Sequence, residues 1–201
     1  MAEQSSGDSQ PSNPTASSTA RESQRLPFKS PGVLFILPWS VGDSEGGVTQ
    51  VAVNLLRQSH GAALSPSILG ICSWEDKSAR YVSVEAGQTV HFRLWFPENW
   101  RGMPVYLARL PAELRPLLAI LRANNIGVVN LHYVGLAALN FVILRWLRLW
   151  RGKIVLSFHG SDLLAAGKAS GIFKTLWDAL VASADRVVSP SNELATQVSN
   201  R

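Results

Sequence analysis

Cysteine is almost absent from this sequence: Cys72 is the single one in 201 residues. An intrachain disulfide and a CxxC zinc pair are therefore excluded, and a reducing, cytoplasmic setting is expected. No cluster of His, Cys, Asp and Glu stands at metal-ligand spacing either, so no metal is expected. Runs of like charge are missing too. The formal net charge is +5, but the nineteen Lys and Arg residues are scattered and never form a block of five or six. A nucleic-acid-binding arm is thus not expected, although a basic surface is. Apolar runs stop well short of the about 20 residues that span a bilayer. A repeat of fixed period is likewise lacking.

Large apolar side chains are scarce at the start. Residues 1–30 are crowded with Ser, Thr, Gln, Asn and Pro, and no such side chain appears between Met1 and Leu26. Such a stretch cannot bury enough apolar area to offset its ordering entropy, so a disordered tail is expected. It has neither the basic start nor the apolar core of a secretory signal. Arg21 and Arg25 would suit a transit peptide, but Glu3, Asp8 and Glu22 argue against one.

From residue 31 the composition changes. The chain is 46% hydrophobic, enough for one sizeable α/β core but short for two full domains. Apolar runs of strand length alternate with stretches of helical period, the pattern of a parallel, Rossmann-like sheet with crossover helices. Val33–Leu37 reads as a buried first strand closed by Pro38. Val48, Val51, Ala52, Leu55 and Leu56 then fall on one helical face. Further strands are expected at Ser67–Cys72, Tyr81–Val84, Val90–Trp95, Ile126–Leu131, Lys153–Phe158 and Arg186–Ser189, with Gly87 as a turn. A helix carrying Leu114, Leu117, Leu118 and Leu121 should hold Pro116 in its first turn, where its missing N–H is harmless. A long helix is expected over Val134–Trp150, another over Ile172–Val181, and a last one over Asn192–Asn200.

Ligands of open α/β sheets collect beyond the carboxyl ends of the strands. The first such loop holds Glu45-Gly46-Gly47-Val48-Thr49, where paired glycines at a helix start admit a phosphate or serve as a plain turn. It is not a P-loop, because Val48 stands where the lysine must be. It is not a GxGxxG turn, because Ser44 replaces the second glycine. His132, directly after a strand, can hydrogen-bond a sugar hydroxyl, act as a base, or simply bind backbone. His159-Gly160-Ser161-Asp162 gathers a histidine, a glycine and an acid, with Asp162 equally suited to cap a helix. Ser189-Pro190-Ser191-Asn192 places hydroxyls after the last strand. Together they put polar residues along one sheet edge.

Four ordered segments resemble the retaining GT-B glycosyltransferases often called group 1 or family 4. They are Glu45–Val51, Val128–Tyr133, Phe158–Asp162 and Ala184–Ser191. The resemblance implies that this is the N-terminal, acceptor-side domain, with Gly46 and Gly47 near the donor diphosphate and His132 beside the transferred sugar. His159, Asp162 and Ser189 would shape the acceptor side. It also implies a nucleotide-sugar co-substrate, no other cofactor, and a glycan or lipid-linked acceptor from polysaccharide or lipid-glycan assembly. The family's donor domain carries two glutamates separated by seven residues, and no two glutamates here stand at that spacing. Little or no transfer is therefore expected of this chain alone. It is expected to be half of an enzyme completed by a separately encoded donor domain, a gene fragment, or a non-catalytic Rossmann-like binding module.

Phe141–Arg151 places Arg145, Arg148 and Arg151 among Trp, Leu and Phe. That composition suits a helix lying on anionic lipid, and equally a crossover helix packed on the sheet with its arginines in water.

Overall fold

The computed structural model describes residues 31–39, 46–61, 67–73, 79–84 and 87–189, with Ser191 and Thr196. The expected tail over residues 1–30 lies outside the described residues. So does the expected helix Asn192–Asn200, apart from Thr196.

Strand β1 (Gly32–Leu37) lies at the centre because almost every residue of GVLFIL is apolar, and all but Val33 are buried. Successive side chains of a strand point to opposite faces. Phe35 and Leu37 meet helix α1 (Gly47–Gly61) on one side. Leu34 and Ile36 join the larger core on the other. That core is closed by helices α2 (Met103–Ala123) and α3 (Leu139–Trp146). Strands β2 (Ser67–Ser73), β3 (Arg80–Val84) and β4 (Gly87–Arg93) lie to one side of β1. On the other side lie β5 (Ile126–His132), β6 (Lys153–Ser157) and β7 (Arg186–Val188). The order is β3-β4-β2-β1-β5-β6-β7, parallel except that β3 runs antiparallel to β4. Gly87, read as a turn, instead pairs with Val84 as the first residue of β4. The chain leaves β1 for β2 and returns to β5, so the topological switch point is the β1–β5 junction, where ligand crevices open.

Two helices depart from expectation. Helix α2 begins eleven residues before Leu114, so Pro116 and Pro111 both stand inside it, and Pro104 occupies the first turn. An interior proline removes one backbone bond and crowds a carbonyl, at about 3 kcal/mol. The helix persists because Leu114, Leu117, Ile120 and Leu121 are buried along its inner stripe. The long helix over Val134–Trp150 is instead a 3-10 turn (Leu136–Ala138) followed by α3, which ends at Trp146. The chain then turns through Arg148 at φ +58°, and both Leu149 N and Trp150 N donate to the Leu144 carbonyl. This lets Trp150 enter the core, packed edge-on to Phe141, with Nε1 donating to the Ile126 carbonyl at 2.7 Å. Gly152 leaves it room: a Cβ there would lie 1.9 Å from the Trp150 ring. Arg145 is not left in water either. It pairs with Asp185 at 2.5 Å and also bonds the Ser183 carbonyl.

Helices α4 (Ser161–Lys168) and α5 (Gly171–Ala182) follow β6. Helix α5 matches the expected Ile172–Val181, whereas α4 is an additional element seen in the sequence only as a capping residue.

Candidate functional site at the switch point

His132 is the last residue of β5 and pairs in register with Ser157 of β6. It is 3% exposed. Its ring stacks on that of His159, centroids 5.3 Å apart, and its Nδ1 lies 3.1 Å from His159 Nε2. Burial, aided by the neighbouring His159, pushes the His132 pKa down to about 4. Burial also lowers that of His159, against the opposing pull of Asp162. Both rings are therefore neutral near pH 7, and one N–H is shared between them. A neutral imidazole has one donor and one acceptor nitrogen. Whichever role Nδ1 takes, Nε2 of His132 has the other, and it is buried without a hydrogen-bond partner among the described residues.

The second histidine is held by its backbone. Asp162 Oδ1 accepts from the N–H groups of His159, Gly160 and Leu163 at 2.9–3.0 Å. Its Oδ2 accepts from Val134 N at 3.1 Å and from His159 N at 3.2 Å. Both oxygens, at the start of α4 where the helix dipole favours a negative charge, are thus engaged by backbone. Gly160 sits between the two residues at φ +108°, a conformation that side-chain-bearing residues rarely adopt. Nothing lies within 4 Å of where its Cβ would be, so the requirement is conformational, not steric crowding. On the β5 side, Tyr133 takes φ +55°, an uncommon value for a residue of its size that marks local strain. This turn directs Val134 N to Asp162.

Aromatic contacts extend the site to α1. The Tyr133 ring lies 5.2 Å from His159 and packs edge-on against Trp39 at 4.4 Å. Trp39 Nε1 donates to Thr49 Oγ1 at 3.0 Å, which fixes the first turn of α1 beside the carboxyl end of β5. Gly46 supplies the carbonyl for Thr49 N and Gln50 N, and Gly47 opens on empty space. The structure therefore places His132 against His159, ties Asp162 to the His159 backbone, and links Gly46 to them through Thr49, Trp39 and Tyr133, with Gly47 next in the chain. Ser189 follows β7 on the same edge, its Oγ donating to the Ser191 carbonyl. No hydrogen bond among the described residues joins it to the histidines.

Trp39, Thr49 and Tyr133 were not singled out as site residues from sequence. Their roles depend on contacts between different loops, and the only local signal was their position after a strand. The same holds for an aromatic-walled cavity of about 540 Å³ beside Gly135–Ala137.

A mostly parallel sheet with its polar loops gathered at the switch point defines an open, Rossmann-like α/β domain. The model of Glycosyltransferase Family 4 matches residues 45–201, and the chain belongs to that family. Solved structures share the fold. Sucrose-phosphate synthase from Thermosynechococcus elongatus is 13% identical with a TM-score of 0.53, over 85% of this chain and 45% of that one. An alpha,alpha-trehalose-phosphate synthase (UDP-forming) from Burkholderia vietnamiensis is 12% identical with a TM-score of 0.54, over 85% and 42%. An E. coli structure described as trehalose-6-phosphate bound with UDP-2-fluoro glucose gives 12% and 0.54, over 84% and 42%. No curated protein sequence matches. The chain spans less than half the length of these solved structures.

Proposed function

We propose that residues 31–201 form the acceptor-side domain of a retaining, nucleotide-sugar-dependent glycosyltransferase, and that sugar transfer requires a second, donor-gripping domain. The observation that carries this reading is Nε2 of His132 at the β1–β5 crevice, buried and without a hydrogen-bond partner among the described residues. A buried polar atom left unpaired costs about 1–3 kcal/mol, and a sugar hydroxyl beside it would supply the missing bond in either tautomer. His132 is then the residue at the transferred sugar. Gly46 and Gly47 are the approach to the donor diphosphate, where the N-terminus of α1 stabilises the negative charge that builds on the leaving group. His159 and Ser189 face the acceptor side, and Asp162 positions His159.

Given a panel of UDP-, GDP- and ADP-hexoses, the 201-residue chain alone should transfer little or no sugar. Fused to a donor domain of its family, it should gain transfer that His132→Ala lowers about a hundredfold. Rapid transfer by the chain alone would overturn the need for a second domain, and an unchanged rate in the substituted fusion would overturn the site. Saturable ligand binding with no transfer in any fusion would instead mark a non-catalytic binding module or a partner subunit.

We also infer a peripheral site of action on the cytoplasmic face of a membrane. Among the described residues no helix is long and apolar enough to cross one. At and beyond the end of α3, however, Trp146, Leu147 and Leu149 are exposed beside Arg148 and Arg151. This apolar and cationic turn suits anionic lipid. It precedes β6, so it lies at the opposite end of that strand from Ser157 and the histidines. Cosedimentation with phosphatidylserine vesicles should fall when Arg148 and Arg151 are both changed to Glu. Binding that ignores both this change and added salt would discard the membrane.

A further inference from the structure

The 3-10 turn that follows the His132 loop is one wall of the 540 Å³ cavity. Leu136 stands on that wall. The segment after β4 supplies Trp95, Phe96 and Glu98, and α5 supplies Phe173 and Trp177. A second hollow of about 310 Å³ shares Glu98, Leu136, Phe173 and Trp177 and reaches Lys168 and Ala169 at the end of α4. The two therefore form one groove that begins two residues beyond Tyr133, at Gly135, and runs outward between α4 and α5.

Its chemistry is one-sided. Among the described residues, four aromatic rings line it, and its charged side chains are one carboxylate, Glu98, and one ammonium, Lys168, both exposed. None of these lining residues is an arginine or a histidine. A phosphate dianion calls for several charge-assisted donors, best from a guanidinium fork. Here it would meet one lysine and the repulsion of Glu98. A pyranose ring without phosphate presents a face of C–H groups that lies flat on an aromatic ring, with hydroxyls at its rim for Glu98 to accept. An alkyl chain finds the same wall favourable.

The wall is also fixed before any ligand arrives. Tyr106 Oη donates to Asn140 Oδ1 at 2.8 Å, and Asn140 Nδ2 donates to the Trp95 carbonyl at 3.1 Å. The Tyr106 ring packs edge-on against Trp95, and the Arg93 guanidinium lies 5.8 Å from the Trp95 ring centre. Such preorganisation reduces the ordering loss on binding. At the outer end the apolar surface continues onto exposed side chains. Leu164 shares a face of α4 with Lys168 one turn on, and Ile172 adjoins Phe173.

We propose that this groove seats the acceptor, and that the acceptor is an uncharged glycoside bearing an apolar aglycone rather than a sugar phosphate. The assignment rests on the glycosyl-transfer reading above, but it is tested by binding alone, so the two can fail separately. The probes are octyl β-D-glucoside below its micelle concentration, methyl β-D-glucoside and glucose 6-phosphate, each titrated calorimetrically into the 201-residue chain. Octyl glucoside should bind at least about tenfold more tightly than methyl glucoside, with glucose 6-phosphate weakest. Phe173→Ala should weaken octyl glucoside about tenfold. The exposed Glu98→Lys, which leaves the core untouched, should narrow the gap by improving glucose 6-phosphate. Glucose 6-phosphate binding as tightly as octyl glucoside would overturn the acceptor class while leaving glycosyl transfer standing. Octyl glucoside affinity indifferent to Phe173→Ala, or no saturable binding of any probe, would overturn the groove itself.

Discussion

Asp162→Ala should lower the unfolding free energy by about 3 kcal/mol. One carboxylate closes bonds to the N–H groups of Val134, His159, Gly160 and Leu163, and it is 6% exposed. Hydrogen bonds to a charged acceptor contribute about 1.5–3 kcal/mol each, and buried donors left unpaired add a penalty of similar size. These terms overlap and do not sum, because water reaches the opened loop and satisfies part of the loss. Asp162→Asn separates charge from geometry. One amide oxygen can keep the partners of Oδ1, but the amide NH2 would then face the Val134 N–H, two donors with no acceptor between them. The asparagine variant should therefore also be destabilised, though less than alanine. Urea unfolding read as a change in midpoint at constant slope gives the numbers. An alanine variant within about 0.5 kcal/mol of the parent, the size of an ordinary surface change, would remove Asp162 from its positioning role.

Acidification should destabilise the domain before most carboxylates are protonated. The folded chain holds the His132 pKa near 4, whereas an unfolded histidine titrates near about 6.5. Between those values the unfolded chain binds more protons, so stability falls as pH drops. The contribution is fully present above pH about 6.5 and is lost as the pH approaches 4. For His132 alone the loss reaches about 3 kcal/mol. His159, whose pKa is also lowered, acts in the same direction. His132→Gln removes the main titration while keeping a polar group at the end of β5. Its stability should vary with pH less steeply than the parent's across this window. Parallel pH profiles would show that the buried imidazole does not titrate as its surroundings dictate.

Much of this architecture was legible in the letters. Strands β1, β5 and β6 stood out because an apolar run buried by both layers needs no knowledge of its partners. The strand ends then pointed to His132, His159 and Asp162, which the fold brings together. Contacts between distant segments were not legible. Asp162 resembles a local cap, yet its second oxygen reaches Val134, 28 residues earlier. The end of α3 is set by Trp150 bonding the carbonyl of Ile126, a partner that no helical periodicity reveals. Proline placement misled for a related reason: local preference put Pro116 at a helix start, while burial of Leu117, Ile120 and Leu121 outweighed it. The aromatic groove joins Trp95 to Phe173 and Trp177 across most of the domain, so neither segment alone announced a cavity.

The two interior prolines of α2 divide that helix dynamically. Pro111 and Pro116 offer no N–H to the carbonyls of Leu107 and Ala112, so the backbone ladder is interrupted twice between Met103 and Leu117. Beyond Pro116 the helix is clamped by buried leucines and an isoleucine. Before Pro111 its one buried anchor is Tyr106, bonded to Asn140. The amino-terminal turns can therefore open as a unit of their own, at a lower free energy than global unfolding. Because Tyr106 also braces Trp95, each such opening loosens the groove wall. The lifetime of a seated acceptor then becomes coupled to local fluctuation of a helix that it never touches.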